Sequence, residues 1–488
     1  MTDIQKLIAR AEECHQRIAL EYFNHFSGQQ DQLNVVSILE EYPELYARET
    51  LDGISAAQPA GDTDERLLRF LRADFSGNYV QDQVKGMLEE LANAEGSATV
   101  SLEGESWPYR AMPVIIANES DYERRGRLEQ AYLAVMDGLN PLRRRIFSRL
   151  RETMQDIGYE NQIAYSEQLM GMRIRPLAEQ MRRFLDETDE IFEQRLRHYA
   201  SIAGLGDREL RSCDLGYILR ARQYDGMFAS DDMVPALART LRGMGIDLDS
   251  QKNVLIDLED RPRKSPRAFC VSIRAPQDVR IVLKPHGGQD DFSTLFHEAG
   301  HMQFSAHMDP ELSVVYRHSG DTSVHESYAF LLQHLVSNPV WWKEIMREDP
   351  GEYPAFARFH RLYFLRRYGA KLLYEIEFHE QGGGEELAER YVHHLTRSNV
   401  VSYPRERYLA DFDRNFYVLQ YLQAWIWEVQ LRRHLEAEFG ENWFSSRRAG
   451  DFLRGLWSEG QKYDVWEIAQ KLGYAGLDIS LIQQEITA

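Results

Sequence analysis

Five long stretches, residues 3–27, 32–57, 62–96, 119–157 and 159–203, repeat apolar side chains every three or four positions among many charges. A helix can bury that period along a single stripe, so this part of the chain reads as amphipathic helices packed into bundles. Glycine and proline gather mainly at breaks such as Gly104-Glu-Ser-Trp-Pro108 and Asn140-Pro141. No fixed-period repeat appears, which argues against a solenoid. The texture changes near residue 250. Val254-Leu-Ile-Asp-Leu, Ala268-Phe-Cys-Val-Ser-Ile273 and Val279-Arg-Ile-Val-Leu283 are short β-rich runs, divided by turn formers that include Ala275-Pro-Gln-Asp278 and Pro285-His-Gly-Gly288. No other β structure is expected. Helix resumes beyond residue 290, and Gly382-Gly-Gly384 marks a loop or hinge. The expectation is a mainly α protein with one small sheet at about 250–285. Residues 1–205 would form an N-terminal helical domain, and 206–488 a second domain that carries the sheet and a C-terminal helical bundle.

The 488 residues, 43% hydrophobic and 27% charged, suffice for a large core and argue against disorder. A net charge of −20 with no basic stripe argues against nucleic-acid binding. Cys14, Cys213 and Cys270 are too few and too scattered for a disulfide framework or a thiolate metal site. The N-terminal segment is charged and amphipathic, unlike a signal peptide, and apolar runs such as Tyr328-Ala-Phe-Leu-Leu are far too short to span a bilayer. A cytoplasmic protein without a membrane partner is expected.

The sharpest local pattern follows the β-rich stretch. His297-Glu298-Ala299-Gly300-His301 places two imidazoles one helical turn apart, where both can grip one zinc ion. Glu298, between them, can take a proton from bound water. The preceding Asp291-Phe-Ser-Thr-Leu-Phe296 has one apolar face to bury such a helix. Glu326 follows 25 positions after His301, in Ser323-Val-His-Glu-Ser-Tyr-Ala-Phe-Leu-Leu-Gln, and offers a third ligand that leaves one zinc position open. It has a competing use: Ser323-x-x-Glu326 is a capping-box pattern, in which the carboxylate would fold back on its own helix. Asp321 or Thr322 could cap in its place. His318 and His325 are further candidate ligands, although His325 points about 100° away from Glu326 on a helix and suits a supporting role.

These residues, taken in order, resemble a known family. Asp257-Leu-Glu-Asp-Arg-Pro-Arg-Lys264, Ala268-Phe-Cys270, Thr294-Leu-Phe-His-Glu-Ala-Gly-His301, His318-Ser-Gly320 and Glu326 look like the catalytic core of the thimet oligopeptidase and oligoendopeptidase F family. Phe452-Leu-Arg-Gly-Leu-Trp-Ser-Glu-Gly460 and Gly473-Tyr-Ala-Gly-Leu-Asp478 resemble its tail. The match covers about residues 250–480. It departs from the family pattern at Phe304, where a histidine is usual, and in Thr322-Ser-Val-His-Glu-Ser-Tyr. The Val-His-Glu-Ser fragment is also similar to the thermostable zinc carboxypeptidases. The resemblance implies a large helical zincin-type fold with a deep channel, one zinc ion on its floor, and hydrolysis of short unstructured peptides. It also makes Tyr417 and Tyr421, four apart in a divergent tyrosine-rich loop, candidates to stabilise the oxyanion. Two other readings stay open: a carboxypeptidase that uses Arg405, Arg407 or Arg414 to hold a terminal carboxylate, or an inert peptide-binding relative. The run 279–283 is either an open-edged strand that pairs with substrate or an ordinary core strand.

Overall fold

The computed structural model describes residues 4–59, 62–382, 384 and 386–487. Asp3, in the expected first helix, and Gly383, in the glycine run, lie outside these. Helix dominates, as the periodicity predicts. Ile4–Phe26, Asp62–Ser97 and Tyr122–Asp156 are single helices. The last continues through Pro141, so Asn140-Pro141 is no break. The stretch 32–57 is instead broken into Val35–Leu39, Pro43–Leu45 and Arg48–Ala56, and 159–203 into Gln162–Gln168, Ile174–Glu187 and Asp189–Ile202.

The chain forms two compact units, each assembled from separated segments. The first comprises Met1–Phe75, Gln223–Ala357 and Gln423–Ile482; the second comprises Ser76–Arg222, Arg358–Leu422 and Gln483–Ala488. The boundary expected at 205–206 therefore falls inside the second unit. The reason is packing that no linear reading displays. Helix Ile4–Phe26 lays Ala19 and Phe23 on Ile273 and Val282 of the distant sheet, with Phe269 and Val271 packed against them. The N-terminal helix thereby completes the core of the sheet.

In the second unit, β1 (Thr99–Leu102) and β2 (Glu105–Pro108) form a hairpin that pairs Val100 with Trp107. It corrects the expectation of a single β region. Glu103 and Gly104 both have positive φ, at 54° and 85°, as a tight turn between twisted strands requires. Four-residue strands are too short to show alternation, so the segment reads as a plain loop. A buried ion pair, Arg125 to Asp214 at 2.6 Å, ties this unit together with both side chains fully enclosed.

In the first unit, β3 (Val254–Asp257), β4 (Phe269–Arg274) and β5 (Asp278–Val282) make a three-stranded sheet in the order β3-β5-β4. β5 runs parallel to β3 and antiparallel to β4, with Val279 opposite Val254 and Ile281 opposite Cys270. β5 is thus the central strand, with Val279, Ile281 and Val282 fully buried, and it has no open edge for a substrate. The edges belong to β3 and β4. The Asp257–Lys264 segment proves to be a structural clamp. The Lys264 ammonium is fully buried and donates to the Asp257 carboxylate at 3.0 Å and to the carbonyls of Asp257 and Glu259 at 2.8 and 2.9 Å.

Candidate metal centre

The helix Gln289–Ala306 buries Phe292, Leu295, Phe296, Ala299 and Met302, and this face fixes the direction of the other. Its start is pinned by Asp291, whose carboxylate accepts from the His286 and Gly287 amides at 2.6 Å each. His297 and His301 lie one turn apart with ring centroids 4.9 Å from each other. The opposing helix, Thr322–Leu335, is capped by Asp321, whose side chain accepts from the Ser323 amide at 2.9 Å. The Ser323 hydroxyl donates instead to Gln423 at 3.0 Å. Asp321 thus does the capping and Glu326 is spared it.

Glu326 is 2% exposed, and its Oε2 lies 3.4 Å from His297 Nε2 and 3.6 Å from His301 Nε2. One ligand atom from each of the three residues falls within 4.8 Å of the others. Among the described residues no other trio of histidine, cysteine or acidic side chains converges in this way. His318 goes elsewhere and pairs with His15 at a ring separation of 4.0 Å. The electrostatics suit a cation. Burial alone would raise the Glu326 carboxyl, but the His297 hydrogen bond and the charges of His301, His325 and His297 outweigh it and hold the group at about 2. Burial pushes His297 down, yet Glu326 and Glu298 beside it prevail and hold it above its usual value. Burial drives the neighbouring His301 well below. The field that favours a proton on His297 would equally favour a dication between these three groups.

The rings are oriented from behind. His297 Nδ1 lies 2.9 Å from Gln333 Oε1, while Gln333 Nε2 donates to Ser293 Oγ at 2.8 Å. Because that amide nitrogen is engaged, Nδ1 of His297 donates to Gln333, so a neutral His297 would offer its Nε2 lone pair to a metal ion. His325 Nδ1 stands 3.1 Å from His301 Nδ1 and can orient the second ring in the same way. His325 was legible as a supporting residue; Gln333 was missed. Its signal was its position seven residues after Glu326, two turns along the same face. Replacing Gln333 with alanine is expected to weaken metal binding about 10–100-fold, read by competition with a chromophoric chelator.

Gly300 lets the two helices meet. A Cβ there would stand 2.4 Å from both the Ala329 Cα and the Tyr328 carbonyl oxygen. Gly300→Ala is therefore expected to cost about 1–3 kcal/mol in urea unfolding, because overpacked backbone must shift. An unchanged midpoint would contradict so close an approach.

Glu298 is half-buried, near enough to the Cys270 amide of β4 for that amide to help hold its pKa down. Burial raises its pKa, with Glu326 adding to the rise, while His297, this amide and Arg267 oppose it. Tyr417 and Tyr421 belong to the second unit, at the start of the helix Tyr417–Phe439, so they share a helix face as expected. Their rings lie 4.7 Å apart, and Tyr421 stacks on Tyr368 at 5.7 Å. Arg405, Arg407 and Arg414 are in that unit too. Arg407 pairs with Glu129 at 3.3 Å, and Arg405 approaches Glu389 at 3.8 Å.

No protein-family model matches the chain, and no curated protein sequence does. Solved structures match it along nearly its whole length, and they define the fold as that of the large, mostly helical zincin-like peptidases. A Bacillus anthracis protein described as an oligoendopeptidase F has a TM-score of 0.62 at 14% identity, covering 100% of this chain and 95% of its own. A Pyrococcus furiosus carboxypeptidase gives 0.60 at 13%, covering 100% and 98%. PZ peptidase A gives 0.61 at 15%, covering 96% and 85%. The likeness to oligoendopeptidase F and to the carboxypeptidases, expected from sequence, is thus present in the fold.

Proposed function

We propose that this chain is a zinc-dependent peptidase acting on short, unstructured peptides, with His297, His301 and Glu326 as metal ligands and Glu298 as general base. One observation carries the reading: two imidazole nitrogens and a carboxylate oxygen converge beside a half-buried glutamate, on a fold shared with peptidases. Two nitrogen donors with one oxygen suit zinc better than magnesium, which prefers an all-oxygen shell. Bound there, the ion would supply Lewis acidity to the scissile carbonyl and to water.

The residues of the chain then have distinct tasks. Glu298 takes a proton from the attacking water as its oxygen adds to the carbonyl carbon. It returns that proton to the departing nitrogen as the C–N bond breaks. Its raised pKa suits both halves of this exchange. β4, the open edge beside Glu298, would hold the substrate as an added strand, in place of β5. The cysteines Cys14, Cys213 and Cys270 are all free thiols, in keeping with a reducing cytoplasmic setting. Among the described residues no helix is long and apolar enough to cross a membrane.

A second reading, carboxypeptidase action, draws support from the likeness to the Pyrococcus furiosus enzyme. Metal analysis of the purified protein, followed by digestion of a peptide blocked at both ends, separates the possibilities. Zinc at about one ion per chain with cleavage inside the blocked peptide is the expected result. Release of terminal residues from free-ended peptides alone would select the carboxypeptidase. A zinc-loaded protein that cleaves neither would leave only the inert, peptide-binding relative.

A further inference from the structure

The second unit contains a cleft whose lining includes neither a proposed metal ligand nor Glu298. Its empty space, counted together with the open solvent at its mouth, is about 530 Å³. One wall is aromatic. Phe147 stands edge-on to Phe378 and to Phe412, with centroids 5.3 and 4.7 Å away. The rest mixes apolar side chains, Val80, Leu150 and Met154, with polar and cationic ones, among them Arg151, Arg414 and His379.

Three polar groups there lack partners. Neither Arg151 nor Arg414 makes a hydrogen bond or an ion pair among the described residues, although ion pairs are abundant elsewhere on this surface. Arg151 is exposed at the rim; Arg414 is half-buried and keeps only the more distant influence of Asp413. The Nε2 of His379 is buried without a hydrogen-bond partner among the described residues. Burial and the nearby Arg151 hold this imidazole down at about 3, so the ring is neutral and can donate or accept one bond. A desolvated guanidinium without a counter-ion is an unfavourable arrangement that an anion relieves, and a planar fork suits a carboxylate best.

We infer that this cleft binds a small organic carboxylate with an aromatic body. The carboxylate would lie between Arg151 and Arg414, with a polar atom against His379 Nε2 and the ring against Phe147, Phe378 and Phe412. Its own chemistry does not depend on the peptidase reading.

The probe is 3-phenylpropanoate, titrated calorimetrically into the full-length protein with and without metal. The metal-stripped sample excludes carboxylate binding at the histidine cluster. Binding tighter than about 1 mM is expected in both samples. Arg151→Gln, Arg414→Gln and the neutral probe 3-phenylpropanamide should each weaken it at least about tenfold, the loss expected for a charge-assisted bond. Arg151 is exposed, so its variant tests the site even if Arg414→Gln folds poorly. No binding up to about 10 mM, or affinity unchanged in the Arg151 variant, would overturn the inference. Equal binding of inorganic phosphate with none of the aromatic acid would overturn it as well.

Discussion

Glu298→Gln is expected to reduce peptide hydrolysis by about 10²–10⁴-fold while the metal content stays that of the parent. The amide keeps the length and shape of the side chain but cannot take a proton from water. Glu298 is not a member of the converging trio, so its loss should spare metal binding. Glutamine also fills the same volume in this half-buried position, so the local fold should survive. Steady-state kinetics on a fluorogenic peptide, together with elemental analysis, would read both quantities. A variant that hydrolyses as fast as the parent would remove Glu298 from the chemistry. One that loses metal would make it a ligand or a support for one.

Glu326→Gln should act in the opposite way and abolish activity by emptying the centre. The carboxylate is the only anion in the trio, and it sits almost wholly out of water between two imidazoles. Its removal is expected to lower metal affinity by more than about 100-fold, beyond the range typical of residues that merely orient a ligand. Chelation should therefore lower the melting temperature of the parent and leave the variant unmoved. A ligand present at about 100 times its Kd stabilises by about 2.7 kcal/mol. In metal-stripped protein a pH dependence follows as well. The folded-state pKa of Glu326 is depressed to about 2 from 4.5, so its contribution is complete above pH 4.5. It is lost as pH falls toward 2, at most about 3 kcal/mol in all. The Glu326→Gln variant should lack that acid-limb loss.

How much of this was readable beforehand depended on the range of the interactions. His297, Glu298 and His301 were legible because helical spacing alone brings them together. Glu326 was legible as one of two uses, and a residue five positions away decided between them when Asp321 took the cap. The role of β5 was left undecided because strand order is a long-range property: nothing within residues 279–283 tells whether neighbours flank one side or two. The hairpin at 99–108 escaped notice for the contrary reason, its strands being shorter than any period that could reveal them. The joining of the N-terminal helix to the sheet was not legible because Ala19 and Phe23 find their partners far along the chain, at Ile273 and Val282.

The contact at Gly300 has a bearing on which ions the centre could accept. The two imidazoles ride on one rod and the carboxylate on another, and at Gly300 the rods touch backbone to backbone with no side chain between them. Such a mount cannot widen or narrow to follow ionic radius. Selection by size is the consequence: across a series of divalent ions of increasing radius, occupancy should fall abruptly, not by degrees.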